Sequence, residues 1–238
     1  MNNELTIIVP VFNEQECLPA FFAEMDSFRN ICPISARVLY INDGSTDNSL
    51  PLLREKCRQT PSCTVLSLDK NCGLSVAIKA GFDHCETTLV GYIDADLQTH
   101  PADFMAYFDF FPEYDMVNGI RAIRKDSLIK RLSSKIANRY RRLLINDGIE
   151  DTCCPLKIIK TDCARSIPFF IGMHRFLPAL VQLQGGKVKQ LPITHSARHA
   201  GTSKYHLFNR LVGPFFDTLA FRWIRSRYIR YTLVDPTP

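Results

Sequence analysis

The 238-residue chain is long enough for one well-buried α/β domain and barely long enough for two. Its 46% hydrophobic and 22% charged residues exclude a disordered or fibrous protein. The net charge of +5 hides an asymmetry: residues 1–120 hold 7 Lys and Arg against 17 Asp and Glu, residues 121–142 hold 9 against 1, and residues 198–230 hold 7 against 1. An acidic half suited to a cation is thus joined to two basic segments suited to phosphates or an anionic membrane.

Residues 5–10 (LTIIVP) form a short apolar run with β-branched members and predict a buried strand. Residues 14–30 follow with helical spacing at Leu18, Phe21, Phe22, Met25 and Phe28. A second strand is predicted over 36–42 (ARVLYIN), ending in the turn signal Asp43, Gly44, Ser45. Thr46 and Asp47 are suited to cap the next helix, which runs to about Gln59. Residues 64–68 predict a third strand, 75–85 a small-residue helix, and 89–93 (LVGYI) a fourth strand that leads directly into Asp94. This alternation predicts a mostly parallel sheet covered on both faces. No repeat or low-complexity linker interrupts it, so the reading is one domain over 1–205 with a basic, aromatic extension over 206–238.

In such sheets ligands sit beyond the carboxyl ends of the strands. Three polar clusters fall there: 10–14 (PVFNE), 43–45 (DGS) and 94–98 (DADLQ). Asp94 and Asp96 can share one hard divalent cation, Mg²⁺ or Mn²⁺, and leave positions open for phosphate oxygens. A lone Asp-x-Asp is common and usually a solvated loop. A phosphatase that uses its first Asp as nucleophile carries the pair soon after the first strand, whereas here it follows the fourth. Asn13 as a helix cap and 43–45 as a plain turn are the alternatives for the other two clusters.

Taken in order, the motifs resemble glycosyltransferase family 2, whose catalytic domain has the GT-A fold. The family's Pro-x-x-Asn-Glu is matched by Pro10, Asn13 and Glu14, and its Asp-Asp-Gly-Ser by Asn42, Asp43, Gly44 and Ser45, with Asn in place of the first Asp. Asn71 and Gly73, then Ala77 and Gly81, precede the Asp-x-Asp. The string Asp94 to Gln98, the following Gly119 and Arg121, and the late motif Arg198, Gly201, Ser203, Lys204, Tyr205 are similar to the polyprenyl-phosphate branch of dolichol-phosphate mannose synthases and undecaprenyl-phosphate sugar transferases.

The resemblance implies a metal held by Asp94, Asp96 and Gln98. It implies nucleotide-sugar contacts at Pro10, Val11, Asn13, Glu14, Asp43, Lys70, Gly73, Asp94, Ala95, Arg198 and Lys204. Arg121 and Asp151 are implied as catalytic groups. Lys157 stands where the branch has an arginine, which keeps the charge without the two-pronged geometry.

The activity so implied is inverting transfer of a sugar from a UDP- or GDP-sugar to polyprenyl phosphate. A lipid phosphate is already anionic and needs no strong base, while a glycan or protein hydroxyl would need one, with Asp151 the candidate. A nucleotide-sugar or lipid-binding protein without catalysis is the third reading, opposed by the intact motifs.

Two basic segments bear on the acceptor. Residues 127–145 carry Leu128, Leu132, Ile136, Tyr140 and Leu144 at i, i+4 spacing among Lys and Arg, suited to packing on the sheet or to lying on anionic lipid. Residues 207–233 interleave Phe215, Phe216, Trp223 and Tyr228 with Arg210, Arg222, Arg225, Arg227 and Arg230. The transferase motifs argue against nucleic acid as the partner. The start has no secretory signal, and no apolar run reaches the roughly 18 residues of a spanning helix, the stretch 211–221 being broken by Pro214 and Asp217. The expectation is therefore a cytoplasmic protein, peripheral on a membrane. The nine cysteines, odd in number and without a Cys-x-x-Cys pair, are expected to be reduced thiols used as small core residues.

Overall fold

In the computed structural model, residues 4–121, 141, 144–197 and 212–230 are described. Arg198 and Lys204 lie outside these, as does most of the basic stretch 127–145. The chain runs β1 (Glu4–Val11), α1 (Leu18–Ile31), β2 (Ser35–Asn42), α2 (Ser49–Gln59), β3 (Cys63–Ser67), α3 (Leu74–His84) and β4 (Leu89–Tyr92). It continues through a 3₁₀ segment (Pro101–Phe110), β5 (Met116–Arg121), β6 (Lys157–Lys160), α4 (Thr161–Ser166), α5 (Leu177–Leu183), β7 (Val188–Ile193) and α6 (Val212–Arg227).

The strands form one sheet in the order β3-β2-β1-β4-β6-β5-β7. Pairing is parallel except at β6, which runs antiparallel to both β4 and β5. Alternation along β1 separates the two faces. Leu5, Ile7, Val9 and Val11 pack with Leu18, Phe21, Met25 and Phe28 of α1, while Ile8 joins Leu39, Ile41, Ala77, Ile78 and Phe82 on the α3 side. Each such side chain, fully buried, contributes roughly 1.5–3 kcal/mol. A one-residue slip of β1 would therefore be prohibitive, and the register that carries its polar end to the sheet edge is set. Gly81 lets α3 approach β1, since a Cβ there would lie 2.6 Å from the Ile8 side chain. All nine cysteines are free, and Cys17, Cys63, Cys85 and Cys154 are buried among apolar neighbours.

The first two helices begin later than the apolar spacing predicts. Asn13 adopts a left-handed φ of 53°, which breaks the helical path, and α1 starts only at Leu18 with Pro19 in its first turn. Asn13 is thus no helix cap. Helix α2 starts at Ser49 after Asn48, and Asp47 accepts the Ser49 N–H at 2.9 Å from outside the helix. Among the described residues no helix is long and apolar enough to cross a membrane.

Gly44, at φ +65°, sits where a Cβ would lie 2.2 Å from the Lys70 carbonyl carbon and 2.4 Å from the Asn71 nitrogen, both main-chain atoms that cannot swing away. Gly44→Ala is expected to cost at least about 2 kcal/mol, read as a lower urea midpoint at unchanged slope. Wild-type stability in that variant would contradict the close approach of the two loops.

Candidate active site

The loops beyond β1, β2, β3 and β4 share one edge of the sheet, and side chains named by the motifs tie them together. The Asn13 Oδ1 accepts the Thr46 N–H at 2.7 Å, while Ser45 Oγ accepts the Asn13 N–H at 3.0 Å and Ser49 Oγ the Glu14 N–H at 2.8 Å. Asp43, buried, gathers the next loop: its carboxylate accepts Cys72 N–H at 2.7 Å, Gly73 N–H at 2.9 Å and the Asn71 amide at 2.9 Å. Of the nucleotide contacts expected here, Asn13 and Asp43 therefore direct polar groups into neighbouring loops. Val11 and Ala95 bury their side chains and offer the edge only backbone. Pro10, Glu14 and Gly73 are partly open, and Lys70 is exposed.

Asn42 shows why an amide suits the position where the family motif has Asp. Buried, it donates to Ser67 Oγ at 2.8 Å and accepts the Ser45 N–H at 3.2 Å. A carboxylate could not donate, and it would crowd a second buried charge against Asp43.

Beyond β4 the chain alternates: Ala95 and Leu97 are buried while Asp94, Asp96 and Gln98 are partly open on the other side. Leu97, at φ 57°, turns the chain, and Gln98 N–H donates to Asp96 Oδ1 at 3.1 Å. Tyr92, two residues before Asp94 and so on the same side of the extended chain, donates its hydroxyl to Asp94 Oδ1 at 2.7 Å. Burial first, then the neighbouring charge of Asp96, pushes the Asp94 carboxyl up to about 6, against the pull of Tyr92, Arg121 and Lys157.

These donors fit a hard divalent cation. Two carboxylates close enough for Asp96 to raise the Asp94 pKa, with Tyr92 orienting Asp94, would gain from a divalent cation, and Gln98, water and phosphate oxygens could complete its coordination.

The same crowding sets a pH dependence. Asp94 ionises near 3.8 when unfolded and near 6 when folded, so the folded protein binds the extra proton between those values. Stability without metal then falls as pH rises from 4 to 7, because the buried carboxyl must lose its proton beside Asp96. Asp94→Asn is expected to raise the melting temperature at pH 8 in chelator and to leave it nearly unchanged at pH 4. A variant that melts lower than wild type at pH 8 would refute the crowded pair.

At the same edge of the sheet stands a held guanidinium. Arg121, at the end of β5, meets Asp151 in a two-pronged ion pair, Nε to Oδ2 at 2.7 Å and Nη2 to Oδ1 at 2.8 Å, and its own N–H reaches Oδ2 at 3.3 Å. Burial works against the Arg121 charge, but the Asp151 hydrogen bonds and charge outweigh it and hold its pKa above the ordinary value. Lys157, fully buried in β6, donates its ammonium to the Thr152 and Cys154 carbonyls and so shapes the loop after Asp151. Burial lowers its pKa. Its charge is engaged by carbonyls of that loop.

Two arrangements had no signal in the motifs. Ser75, the second residue of α3, bonds His174 Nδ1 at 2.8 Å and accepts the Gly172 N–H at 2.9 Å. Burial, then Arg175 and Lys157, lowers the His174 pKa to about 3, so its imidazole is neutral. His100 bridges Glu24 and Ser196, both at 2.9 Å, and Ser196 N–H reaches the Gln98 carbonyl at 2.9 Å. The segment after β7 is thereby fastened to the Asp94–Gln98 loop.

Comparison with known proteins identifies the family. The model of the family described as "Glycosyl transferase family 2" matches residues 6–167. The chain belongs to glycosyl transferase family 2. Among curated members it is 30% identical over 216 residues to an undecaprenyl-phosphate 4-deoxy-4-formamido-L-arabinose transferase of Klebsiella pneumoniae, covering 90% of this chain and 66% of that protein. It is 28% identical over 218 residues to the enzyme of that name in Yersinia pestis, covering 91% and 66%. The chain thus spans just under two thirds of the length of these relatives.

The GT-A fold is shared with solved structures. A mannosyltransferase from Pyrobaculum calidifontis in complex with GDP-Man and Mn²⁺ superposes with a TM-score of 0.68 at 14% identity, over 98% of this chain and 66% of the other. Glucosyl-3-phosphoglycerate synthase from Mycobacterium tuberculosis in complex with Mn²⁺ and UDP-Glc gives 0.68 at 14% identity, over 92% and 79%.

Proposed function

We propose that this family 2 member transfers a sugar from a UDP- or GDP-sugar to polyprenyl phosphate, with inversion, while lying on the cytoplasmic face of a membrane. The reading rests on one observation above all. β4 and β5 run the same way in the sheet, so the Asp94–Asp96 pair and the Arg121 guanidinium held by Asp151 lie past strand ends at the same carboxyl edge, and Asp94 feels the charges of both Asp96 and Arg121. The identity to undecaprenyl-phosphate transferases supports the acceptor.

Asp94, Asp96 and Gln98 would hold Mg²⁺ or Mn²⁺, and Tyr92 keeps Asp94 in place. A bound divalent cation would neutralise the charge that develops on the departing diphosphate. Arg121 faces the same charge, and Arg198 and Lys204 are assigned to the phosphates by their motif. An oxygen of the lipid phosphate, already anionic, attacks the anomeric carbon, and the nucleoside diphosphate leaves from the opposite side. Both oxygens of Asp151 engage Arg121. Asp151 therefore positions the guanidinium, which suits an acceptor that needs no base.

A screen of labelled UDP- and GDP-sugars with undecaprenyl phosphate tests this. One donor is expected to give a solvent-extractable product with Mg²⁺ or Mn²⁺ and none in chelator. Transfer only to a water-soluble hydroxyl acceptor would overturn the proposal.

A further inference from the structure

Among the described residues, helix α6 is held to the body by one side. Phe221, 1% exposed, stacks on Phe176 with centroids 5.3 Å apart and planes 6° apart, and Thr218 is buried beside it. Asp217 pairs with Arg175 at 2.9 Å, and Arg225 donates to the Ile145 carbonyl. The opposite side is apolar and open: Phe215 is 44% exposed, Phe216 62%, Leu219 41% and Trp223 65%. Among the described residues eight large hydrophobic side chains are exposed, and five of them lie between 215 and 229. This is one patch rather than the usual scatter.

At 3.6 residues per turn those four side chains cover roughly 100° of the helix, and Arg222 and Arg227 stand roughly 20° beyond its two edges. Arg222, Arg227 and the following Arg230 are exposed, and Asp217, the one acid in 212–230, is paired. The stripe therefore combines aromatic rings, flanking guanidinium groups and no competing carboxylate. An interfacial helix on anionic lipid needs that combination. A second copy packed on the same face would bring like charges together, since a two-fold contact repeats one surface on both sides.

The helix also has a fixed relation to the site. Asp217 packs against Gly172, whose N–H bonds Ser75 at the start of α3, and the preceding Gly73 is held by Asp43. The first half of α6 is thus linked through Arg175, Gly172 and Ser75 to the loops of the carboxyl edge.

We infer that α6 docks the chain on an anionic bilayer through Phe215, Phe216, Leu219 and Trp223, with Arg222 and Arg227 meeting the headgroups. Docking by this face deepens the lipid-acceptor reading and rests on it for its purpose, but it is measured separately. Trp223 is the chain's single tryptophan, so its emission reports the contact directly.

The full chain is titrated with phosphatidylcholine vesicles and with vesicles that also contain phosphatidylglycerol. On the anionic vesicles the emission is expected to shift to the blue, to be quenched by tail-brominated lipid, and to revert in high salt. The doubly substituted Phe216→Ser, Leu219→Ser chain should partition about tenfold more weakly. Its melting temperature should be unchanged, since both side chains face outward. Arg222→Glu with Arg227→Glu should abolish the preference for anionic vesicles.

Emission unmoved by anionic vesicles overturns the inference. So does a shift that follows protein concentration and a doubling of mass, because the stripe would then pair two copies. Transfer to a short-chain, water-soluble polyprenyl phosphate separates the two claims. If it proceeds while vesicles are ignored, only docking fails; if vesicles bind while no polyprenyl phosphate accepts sugar, docking stands and the acceptor reading fails.

Discussion

Asp96→Ala is expected to lower metal-dependent sugar transfer by at least about a thousandfold, equivalent to roughly 4 kcal/mol of transition-state stabilisation. The fold should survive. Asp96 is partly open, and its charge is one of the influences that push Asp94 up to about 6. Its removal relieves that repulsion, offsetting the loss of the Gln98 N–H bond. The melting temperature should therefore stay within a few degrees of wild type or rise. Asp94 should then titrate closer to the ordinary carboxylate range. A loss of activity that merely tracks a loss of folded protein would show a structural role, and full activity would remove Asp96 from the site.

Arg121 and Asp151 should behave as a unit whose failure is visible in both stability and rate. Their side chains are 18% and 6% exposed, so removing either leaves a poorly hydrated charge behind. Asp151→Ala is expected to cost about 3–5 kcal/mol of stability, and the double variant with Arg121→Met less than the sum of the singles. Asp151→Asn should cut the rate by roughly a hundredfold, the scale of a misplaced catalytic group. Arg121→Lys should restore little, since an ammonium cannot occupy both prongs. The pH profile decides the role. If Asp151 positions Arg121, the residual rate of Asp151→Asn keeps the wild-type pH dependence. If Asp151 were the base, the acid limb would vanish in that variant.

Much of this architecture is written locally. The apolar runs of β1 to β4 end at Val11, Asn42, Ser67 and Tyr92, and the polar clusters after three of them converge because parallel strands point their ends the same way. The inward Ala95 and Leu97 between outward Asp94, Asp96 and Gln98 could be read from period-2 alternation. Tyr92 was within reach by the same rule, lying two residues from Asp94 on an extended chain.

Other features have no local sign. The Ser75–His174 bond joins residues 99 apart, and the reversed strand β6 is only four residues long. The loop contacts of Asn13 and Asp43 are hidden for a different reason. A side chain that binds main-chain N–H groups of a neighbouring loop has the same chemistry as one that binds a ligand, and only the fold supplies the partner. The late start of α1 follows from that fact, because the left-handed turn at Asn13 serves the contact with Thr46 rather than the helix.

The central claim is that Asp94 and Asp96 form a cation site completed by a nucleoside diphosphate. Electron paramagnetic resonance of Mn²⁺ titrated into the full chain tests it most directly. One Mn²⁺ per chain is expected, bound more tightly when UDP or GDP is present, weakened below pH 6 as Asp94 takes up a proton, and lost in Asp96→Ala. Mn²⁺ binding that ignores the nucleotide and persists in Asp96→Ala would contradict it.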